Sequence, residues 1–414
     1  MKADDLSSNS LEGDPPSYIG FIFPYSMSLN VPGNSLQGGI PSSMCQTGQL
    51  QILDVFSNRF VGELPEQLMR CQSLSYLQLS NNSLRGQVLQ MAANLSRLMY
   101  LYLSNNQFSG EMSPWLLNSH PFLTFLDVSN NSLSGSIPDW VGNFQGLDYL
   151  ILASNNSFKL SYTRTFAFGK KQPHGSIATM FGTTSCQVVF LLGLGFLSNL
   201  RALLLAGNSF EGLIPQELCQ ANSISINDLS HNHLSGRIPS CFSKLAFGNS
   251  RIPEGTFTHS SLATHCHKFY GEKTPIKVHL TVLQEVGVPP EVHFTSKHRL
   301  ESYKGHIWYH MSGLDLSCNN LSGSIPFQLC NLSNIHSLNV SYNLLVGEIP
   351  VSFSNLYQIE CLDFSHNSLS CKIPPQLIKT AVPIVIQCGP QQLVQHDTGA
   401  EKSICDFRKS ELRR

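Results

Sequence analysis

An asparagine-anchored repeat runs along most of this chain of 414 residues and restricts its fold more than any other feature. Its frame is Leu-x-Leu-x-x-Asn-x-Leu/Phe-x-Gly-x-Ile/Leu-Pro, and its eleven anchors are Asn34, Asn58, Asn82, Asn106, Asn131, Asn155, Asn208, Asn232, Asn319, Asn343 and Asn367. Neighbouring anchors are 24 or 25 residues apart, except for separations of 53 and 87 that correspond to insertions of 29 and 63 residues. A fixed period of this length is typical of a solenoid, in which each repeat forms one coil stacked on its neighbours.

Each repeat predicts a short strand followed by a turn. Successive side chains of a strand point to opposite faces, so in Leu77-Gln78-Leu79 we expect the leucines to point inward and Gln78 outward. The next anchor, Asn82, turns the chain, and its amide is expected to satisfy buried backbone groups of the stack. The later Leu-x-Gly-x-Ile-Pro run contains a glycine and a proline, which disfavour a regular helix.

The predicted fold is therefore an α/β repeat solenoid, a right-handed curved superhelix with a parallel β-sheet on its concave face and 3₁₀ or irregular segments on its convex face. The predicted divisions are a non-repeat N-terminal segment at 1–28, repeats one to six at 29–158, an irregular insertion at 159–196, repeats seven and eight at 197–242, an island at 243–310, repeats nine to eleven at 311–374 and a non-repeat tail at 375–414. The 159–196 insertion is either a degenerate coil or a translated intron. Because both ends lack the frame, we expect a fragment of a longer protein or a mispredicted sequence.

The charge balance excludes several classes of partner. The chain has 26 Lys+Arg against 27 Asp+Glu, and charged residues make up 13% of it, against about 25% in an average soluble domain. Neither nucleic acid nor an anionic membrane surface is therefore expected as a partner. No apolar run reaches the roughly 18–20 residues of a membrane helix, and the first residues do not have the pattern of a signal peptide. Membrane attachment is expected only through a segment outside this sequence.

Catalytic and metal-binding motifs are incomplete. His306 and His310 have the spacing of two zinc ligands on a helix, but Ile307 stands where a zinc protease needs its glutamate. The run Asp406-Phe407-Arg408 has an arginine in place of the glycine of the kinase magnesium motif. We expect no enzymatic activity, no metal and no cofactor.

Three cysteines share one position in the repeat. Cys45, Cys219 and Cys330 each lie eleven residues after an anchor, where core packing is the expected role. Cys241 and Cys266 flank the first part of the island and form a candidate disulfide.

The Leu-x-Gly-x-Ile-Pro form of the repeat resembles the extracellular domains of plant leucine-rich-repeat receptor-like proteins and receptor-like kinases. The run Lys297-His298-Arg299-Leu300-Glu301-Ser302-Tyr303-Lys304-Gly305, followed by Met311-Ser312-Gly313-Leu314-Asp315-Leu316-Ser317, resembles the end of the island and the next coil in kinase-less receptor-like proteins of the Cf type.

That resemblance implies the ectodomain of a cell-surface receptor at the plasma membrane. Such a receptor binds an extracellular peptide or protein ligand, in defence or development, and signals through a partner leucine-rich-repeat receptor kinase. Two alternatives stay open: a soluble repeat inhibitor of a microbial wall-degrading enzyme, similar to the polygalacturonase-inhibiting proteins, and a truncated product without its own function.

The candidate ligand-binding residues are the outward positions of the early strands, a band rich in aromatic side chains. They are Asp54, Phe56, Tyr76, Gln78, Tyr100, Tyr102, Phe125, Asp127 and Tyr149. Aromatic residues are enriched at interfaces, but cross-strand aromatic ladders also stiffen sheets, and both roles are open. In the island, Lys297, Arg299, Tyr303 and Lys304 are candidates for ligand or co-receptor contact, with a solvated loop as the alternative.

Seven Asn-x-Ser motifs are candidate glycan acceptors if the chain enters the secretory pathway. They begin at Asn81, Asn94, Asn130, Asn155, Asn320, Asn331 and Asn339. An occupied site would identify a surface that is not an interface.

Overall fold

The computed structural model describes residues 3–45, 48–87, 95–112, 122–158, 197–247, 291–304, 311–370, 374–378, 384–387 and 393–395, apart from positions 136, 138, 145, 156, 198, 246, 297 and 298 within these ranges. The predicted insertion at 159–196 and most of the island lie outside the described residues.

The main sheet contains one short strand from each coil. In the order in which they pair, its described strands are β1 (Ala3–Asp5), β3 (Ser28–Asn30), β5 (Ile52–Asp54), β7 (Tyr76–Gln78), β9 (Tyr100–Tyr102), β11 (Phe125–Asp127), β13 (Tyr149–Ile151), β15 (Ala202–Leu204), β17 (Ile226–Asp228), β21 (Gly313–Asp315), β23 (Ser337–Asn339), β25 (Cys361–Asp363), β27 (Ile384–Gln387) and β28 (Leu393–Gln395). All neighbours pair in parallel except β27 and β28, which are antiparallel. This confirms the predicted parallel solenoid.

A second strand in each coil follows the turn and forms two smaller sheets. One contains β2 (Glu12–Gly13), β4 (Ser35–Gly38), β6 (Arg59–Glu63), β8 (Ser83–Gly86), β10 (Gln107–Gly110), β12 (Ser132–Gly135) and β14 (Ser157–Phe158). The other contains β16 (Glu211–Leu213), β18 (His233–Gly236), β22 (Asn320–Ser324), β24 (Leu344–Gly347) and β26 (Ser368–Leu369).

The back of the solenoid is built from short 3₁₀ turns, as the repeat predicts. They span Ser42–Cys45, Leu68–Arg70, Asp139–Asn143, Gln216–Gln220, Ser240–Lys244, Phe327–Asn331 and Val351–Asn355. Extended prolines such as Pro215 and Pro326 immediately precede several of them. The two described α-helices, α1 (Ile19–Ile22) and α2 (Pro375–Ile378), have four residues each.

The core is a continuous stack of inward leucines, crossed by hydrogen bonds from the anchors. Leu53, Leu77 and Leu101 are fully buried at the central position of successive strands. Asn82 shows the hydrogen-bonding pattern of the anchors. Its Nδ2 donates to the carbonyls of Val55 (3.0 Å) and Leu79 (3.1 Å), and its Oδ1 accepts from the backbone N–H of Phe60 (3.0 Å). The predicted structural role of the anchor is confirmed.

The solenoid begins earlier than the sequence boundary at residue 28 predicts. Strand β1 pairs with β3, β2 pairs with β4, and α1 contacts the 3₁₀ turn Ser42–Cys45. Asn9 donates to the carbonyls of Leu6 and Ser7, at 3.0 Å each, as an anchor does. The signal was Leu6-x-x-Asn9-x-Leu11-x-Gly13, 25 residues before Asn34. Residues 3–26 therefore belong to a coil.

Among the described residues, two disulfides join the backs of neighbouring coils, and they correct two interpretations of the cysteines. Cys45 is bonded to Cys71, with Cα atoms 5.4 Å apart, and Cys219 to Cys241, with Cα atoms 5.8 Å apart, both normal disulfide spans. Core packing was thus the wrong role for Cys45 and Cys219, and the pairing of Cys241 with Cys266 was wrong as well. The pairings depend on how the backs of the coils align, which spacing within one coil does not reveal.

Candidate ligand-binding surface on the concave sheet

The concave face of the main sheet has two rows of side chains, from the first and third positions of each strand. In the middle coils these rows bring together Tyr76, Tyr100, Tyr102, Phe125 and Tyr149, here called the aromatic row. Its ring centroids are 5.4 Å apart for Tyr76 and Tyr102, 4.4 Å for Tyr102 and Phe125, and 5.4 Å for Phe125 and Tyr149. The rings form a second apolar cluster, separate from the leucine core.

The exposure of the candidate residues differs from the prediction. Seven of the nine are buried: Asp54, Tyr76, Gln78, Tyr102, Phe125, Asp127 and Tyr149. Tyr100 is half-buried, and Phe56, at the turn after β5, is exposed by 37%. The aromatic row therefore contributes to packing across the strands, and Tyr100 is its accessible member. Phe56, which is outside the row, is also accessible.

The polar candidates have a second, structural role that sequence reasoning missed. Asp54 Oδ1 accepts from the N–H of Phe56 at 2.9 Å, and Gln78 Oε1 accepts from the N–H of Ser80 at 2.8 Å. Asp127 makes the same bond to Ser129 at 2.9 Å. Asp228, Asp315, Asn339 and Asp363 repeat the contact in later coils. The local signal is an acid or amide two residues before a serine.

The aromatic row lies beside a buried carboxylate. Burial raises the pKa of Asp54 to about 6, although the hydrogen bond from Phe56 opposes this rise, and the like charge of Asp5 adds to it. Burial, with Asp54 nearby, raises the pKa of Tyr76 well above its usual value, and burial with Tyr76 and Tyr100 nearby does the same for Tyr102. The hydroxyl of Tyr102 has no hydrogen-bond partner in the described structure, and that of Tyr76 lies close to the side chain of Gln78.

The island candidates are only partly placed. Lys297 lies outside the described residues. Arg299, Tyr303 and Lys304 belong to strand β20 (Arg299–Lys304), which pairs antiparallel with β19 (Glu291–Ser296). Phe294 of β19 is buried and belongs to the concave apolar cluster. The hairpin thereby places one aromatic side chain on the same face as the aromatic row.

The glycan acceptor motifs separate into buried and exposed sites. Asn155 and Asn339 are buried and donate hydrogen bonds within the fold. Asn130, Asn320 and Asn331 are exposed, and Asn81 is half-buried. Asn94 lies outside the described residues.

No described helix has the length and apolar character needed to cross a membrane.

Comparison with known proteins places the repeat in a family. The family described as Leucine rich repeat matches residues 48–108, and its single-repeat form matches 122–144, 199–221, 228–245, 310–332, 334–356 and 358–379. Receptor-like protein 13 of Arabidopsis thaliana is 34% identical over 143 residues, which are 34% of this chain and 13% of that protein. The repeats of this chain are thus leucine-rich repeats, and over about a third of its length the chain is similar to a plant receptor-like protein.

Other receptor-like proteins align with this leucine-rich-repeat chain over shorter segments. Receptor-like protein 1 of Arabidopsis thaliana is 39% identical over 111 residues, 24% of this chain and 10% of that protein. Cuscuta receptor 1 of Solanum lycopersicum is 51% identical over 51 residues, 12% of this chain and 4% of that receptor. The matched segments are thus small parts of these relatives.

Solved structures agree with the fold of the leucine-rich-repeat chain. The ectodomain of the Arabidopsis thaliana receptor kinase GASSHO1/SCHENGEN3 superposes with a TM-score of 0.59 at 23% identity, covering 91% of this chain and 37% of that one. The plant peptide hormone receptor RGFR1 superposes with a TM-score of 0.57 at 22% identity, covering 93% and 52%. At these identities the likeness shows the fold.

Proposed function

We propose that this chain is the ligand-binding part of a plant cell-surface receptor-like protein and that its concave sheet binds an extracellular peptide or protein. The observation that carries the proposal is the aromatic row with its accessible ring Tyr100, together with the exposed ring of Phe56, whose N–H donates to Asp54. Aromatic side chains bury a large area at a small cost in conformational entropy and are enriched at binding hot spots. GASSHO1/SCHENGEN3 was solved in complex with CASPARIAN STRIP INTEGRITY FACTOR 2, and the peptide hormone receptor RGFR1 in complex with RGF2.

Family likeness supports the remaining parts of the proposal. The named relatives are receptor-like proteins, and a receptor of this kind acts at the plasma membrane, in defence or development. Signalling passes to a partner leucine-rich-repeat receptor kinase. Ligand-dependent co-purification of such a kinase with the complete protein tests this step, and co-purification that is independent of ligand would contradict it.

The binding surface is tested by substitution of its accessible rings. Alanine at buried Tyr76 or Tyr102 would open a cavity and lower the stability by about 3–5 kcal/mol. The test therefore uses the double variant Phe56→Ala, Tyr100→Ala, here called the concave variant, in which both replaced rings are accessible. Extracellular peptides from plant tissue are passed over the immobilised chain, and retained peptides are identified by mass spectrometry. We expect the concave variant to retain far less than the unmodified chain.

The matched control places alanine at exposed apolar residues of later coils. Val351 is exposed by 53% and Tyr357 by 83%, and neither belongs to the concave cluster. Thermal unfolding of both double variants checks that each of them is folded. Full retention by the concave variant, with loss in the Val351→Ala, Tyr357→Ala control, would refute the concave surface as the binding site.

A further inference from the structure

On the concave face, the described strands of the main sheet carry acidic side chains and no basic ones. The third strand position is aspartate in six coils, at Asp5, Asp54, Asp127, Asp228, Asp315 and Asp363. None of the residues in the described main-sheet strands is lysine, arginine or histidine. The field along this face therefore favours a cationic ligand.

Asp54 is the carboxylate best placed to use that field. It is buried, its Oδ1 is engaged by the N–H of Phe56, and the charged neighbour that affects it is another acid, Asp5. Within the described structure it forms no ion pair. A buried carboxylate without a cation is unfavourable, and an incoming cation relieves that cost.

Two buried tyrosines continue the surface from this carboxylate. Tyr76 and Tyr102 are exposed by only 3% and 6%. The side chain of Gln78 lies close to the Tyr76 hydroxyl, and the Tyr102 hydroxyl has no hydrogen-bond partner among the described residues. Buried phenol groups normally have one. Asp54 lies close enough to influence Tyr76, and the ring of Tyr76 contacts that of Tyr102. The Tyr102 hydroxyl is therefore available to accept a hydrogen bond from a ligand.

The combination of rings and carboxylate selects a particular chemistry. A guanidinium or ammonium group is attracted to the face of an aromatic ring and pairs with a carboxylate. The planar guanidinium of arginine does both at once, because it stacks on a ring while its edge donates to oxygen. An anionic ligand would meet the charge of Asp54, and a neutral apolar ligand would leave that charge unpaired.

On the basis of the proposed ligand-binding function, we propose that the concave surface takes a basic peptide and seats an arginine or lysine side chain between Asp54 and the rings of Tyr76, Tyr100 and Tyr102. The exposed ring of Phe56 is the edge over which the peptide enters.

The proposal is tested with three capped octapeptides of equal length. In the first, arginine and leucine alternate. In the second, citrulline replaces arginine, which keeps the size and removes the charge, and in the third glutamate replaces it. Binding to the full chain is measured by fluorescence anisotropy at pH 7. We expect the arginine peptide to bind at least about tenfold more tightly than either of the others, since hydrogen bonds to charged groups are the strong ones.

A pair of matched variants locates the contact. Asp54→Asn keeps an acceptor for the N–H of Phe56 and removes the charge, and should weaken the arginine peptide by about tenfold. Asp228→Asn removes a carboxylate at the same strand position, with the same bond to Ser230, and should change binding by less than twofold because no aromatic row adjoins it. Tyr102→Phe keeps the ring and should lower the affinity severalfold by removal of one hydroxyl.

The outcomes separate this inference from the proposed function. Equal binding of the arginine and citrulline peptides, equal effects of Asp54→Asn and Asp228→Asn, or no binding of any octapeptide would overturn the basic-ligand inference. Loss of retention in the Phe56→Ala, Tyr100→Ala variant would still support a concave ligand surface of different chemistry. If the Phe56→Ala, Tyr100→Ala variant retained as much peptide as the unmodified chain while the arginine octapeptide still bound selectively, the cation site would stand. The proposal that the concave sheet is the receptor's main ligand surface would then be wrong.

Discussion

The ring of Phe294 in the island hairpin packs directly against the backbone of Gly313, the first residue of the strand that follows the island. Phe294 is buried in the concave cluster, and a Cβ atom at position 313 would overlap its ring. Other strands carry a larger side chain at this position, such as Ile226 in the preceding coil and Tyr149 in an earlier one. A glycine here therefore makes room for the island on the concave face.

Substitution of that glycine tests whether the contact holds the hairpin. Gly313→Val should displace the ring of Phe294, and such overpacking should lower the free energy of unfolding by about 1–3 kcal/mol. We expect amide hydrogen exchange in residues 291–296 and 299–304 to accelerate. Ser337→Val changes the equivalent position of the next coil and is the control. Equal exchange in the hairpin of both variants would show that the Phe294 contact does not hold it.

A second prediction concerns Asn227, which interrupts the inward leucine row. It pairs in register with Leu203 and Leu314, is fully buried, and its amide has no hydrogen-bond partner among the described residues. An unsatisfied buried polar group lowers the free energy of unfolding by about 1–3 kcal/mol. Burial of a leucine side chain in its place raises the free energy of unfolding by a similar amount. Asn227→Leu should therefore raise the free energy of unfolding by about 2–4 kcal/mol in urea titrations.

The reverse substitution two strands away is the control for Asn227. Leu150→Asn should lower the free energy of unfolding, because it buries an amide in the same row with no amide on either neighbouring strand. If Asn227→Leu is neutral or destabilising, the amide has a partner such as an ordered water, and the assignment of a stability defect fails.

Parts of the fold were predictable because the repeat encodes them within one period. The anchor bonds of Asn82 need only residues of its own and the adjacent coil, so spacing revealed them. The first coil was missed because Ala3–Asp5 has no leucine at its central position, although Asn9 is in frame. The concave candidates were found by alternation, but their burial and the bond from Phe56 to Asp54 depend on neighbouring coils and local turns.

A third prediction follows from the raised pKa of Asp54. Its pKa in the folded chain, about 6, exceeds the ordinary value of 3.8, so the folded state holds the proton more tightly than the unfolded state. The protonated carboxyl of Asp54 therefore adds to the free energy of unfolding. This contribution is complete below pH 3.8 and is lost as the pH rises to about 6 and above. Asn30 of β3, Tyr76 and Gln78 of β7, and the carboxylate of Asp5 are the groups that face it.

The experiment for Asp54 is a comparison of melting temperatures at pH 4 and pH 7. We expect the melting temperature of Asp54→Asn minus that of the unmodified chain to be larger at pH 7 than at pH 4. The reason is that the unmodified chain carries a buried charge at pH 7 and the variant does not. Asp228→Asn, at the same strand position of a later coil, provides the reference. A relative stability that is constant with pH, or that moves in the opposite direction, would contradict the raised pKa.

The last prediction concerns glycans, if the chain is produced through a secretory pathway. The Nδ2 atom of Asn155 donates to the carbonyls of Val128 (3.0 Å) and Leu152 (3.1 Å), and that of Asn339 donates to Asp315 Oδ2 (3.2 Å). A glycan on either nitrogen would replace a buried donor by a bulky polar group.

Mass spectrometry of the folded, secreted chain should find sugar at the exposed Asn130, Asn320 and Asn331, and none at the two buried sites. Asn155→Gln should lower the melting temperature by disrupting the anchor, whereas Asn331→Gln should leave it unchanged. Sugar on Asn155 in correctly folded protein would be incompatible with the anchor bonds that hold this coil.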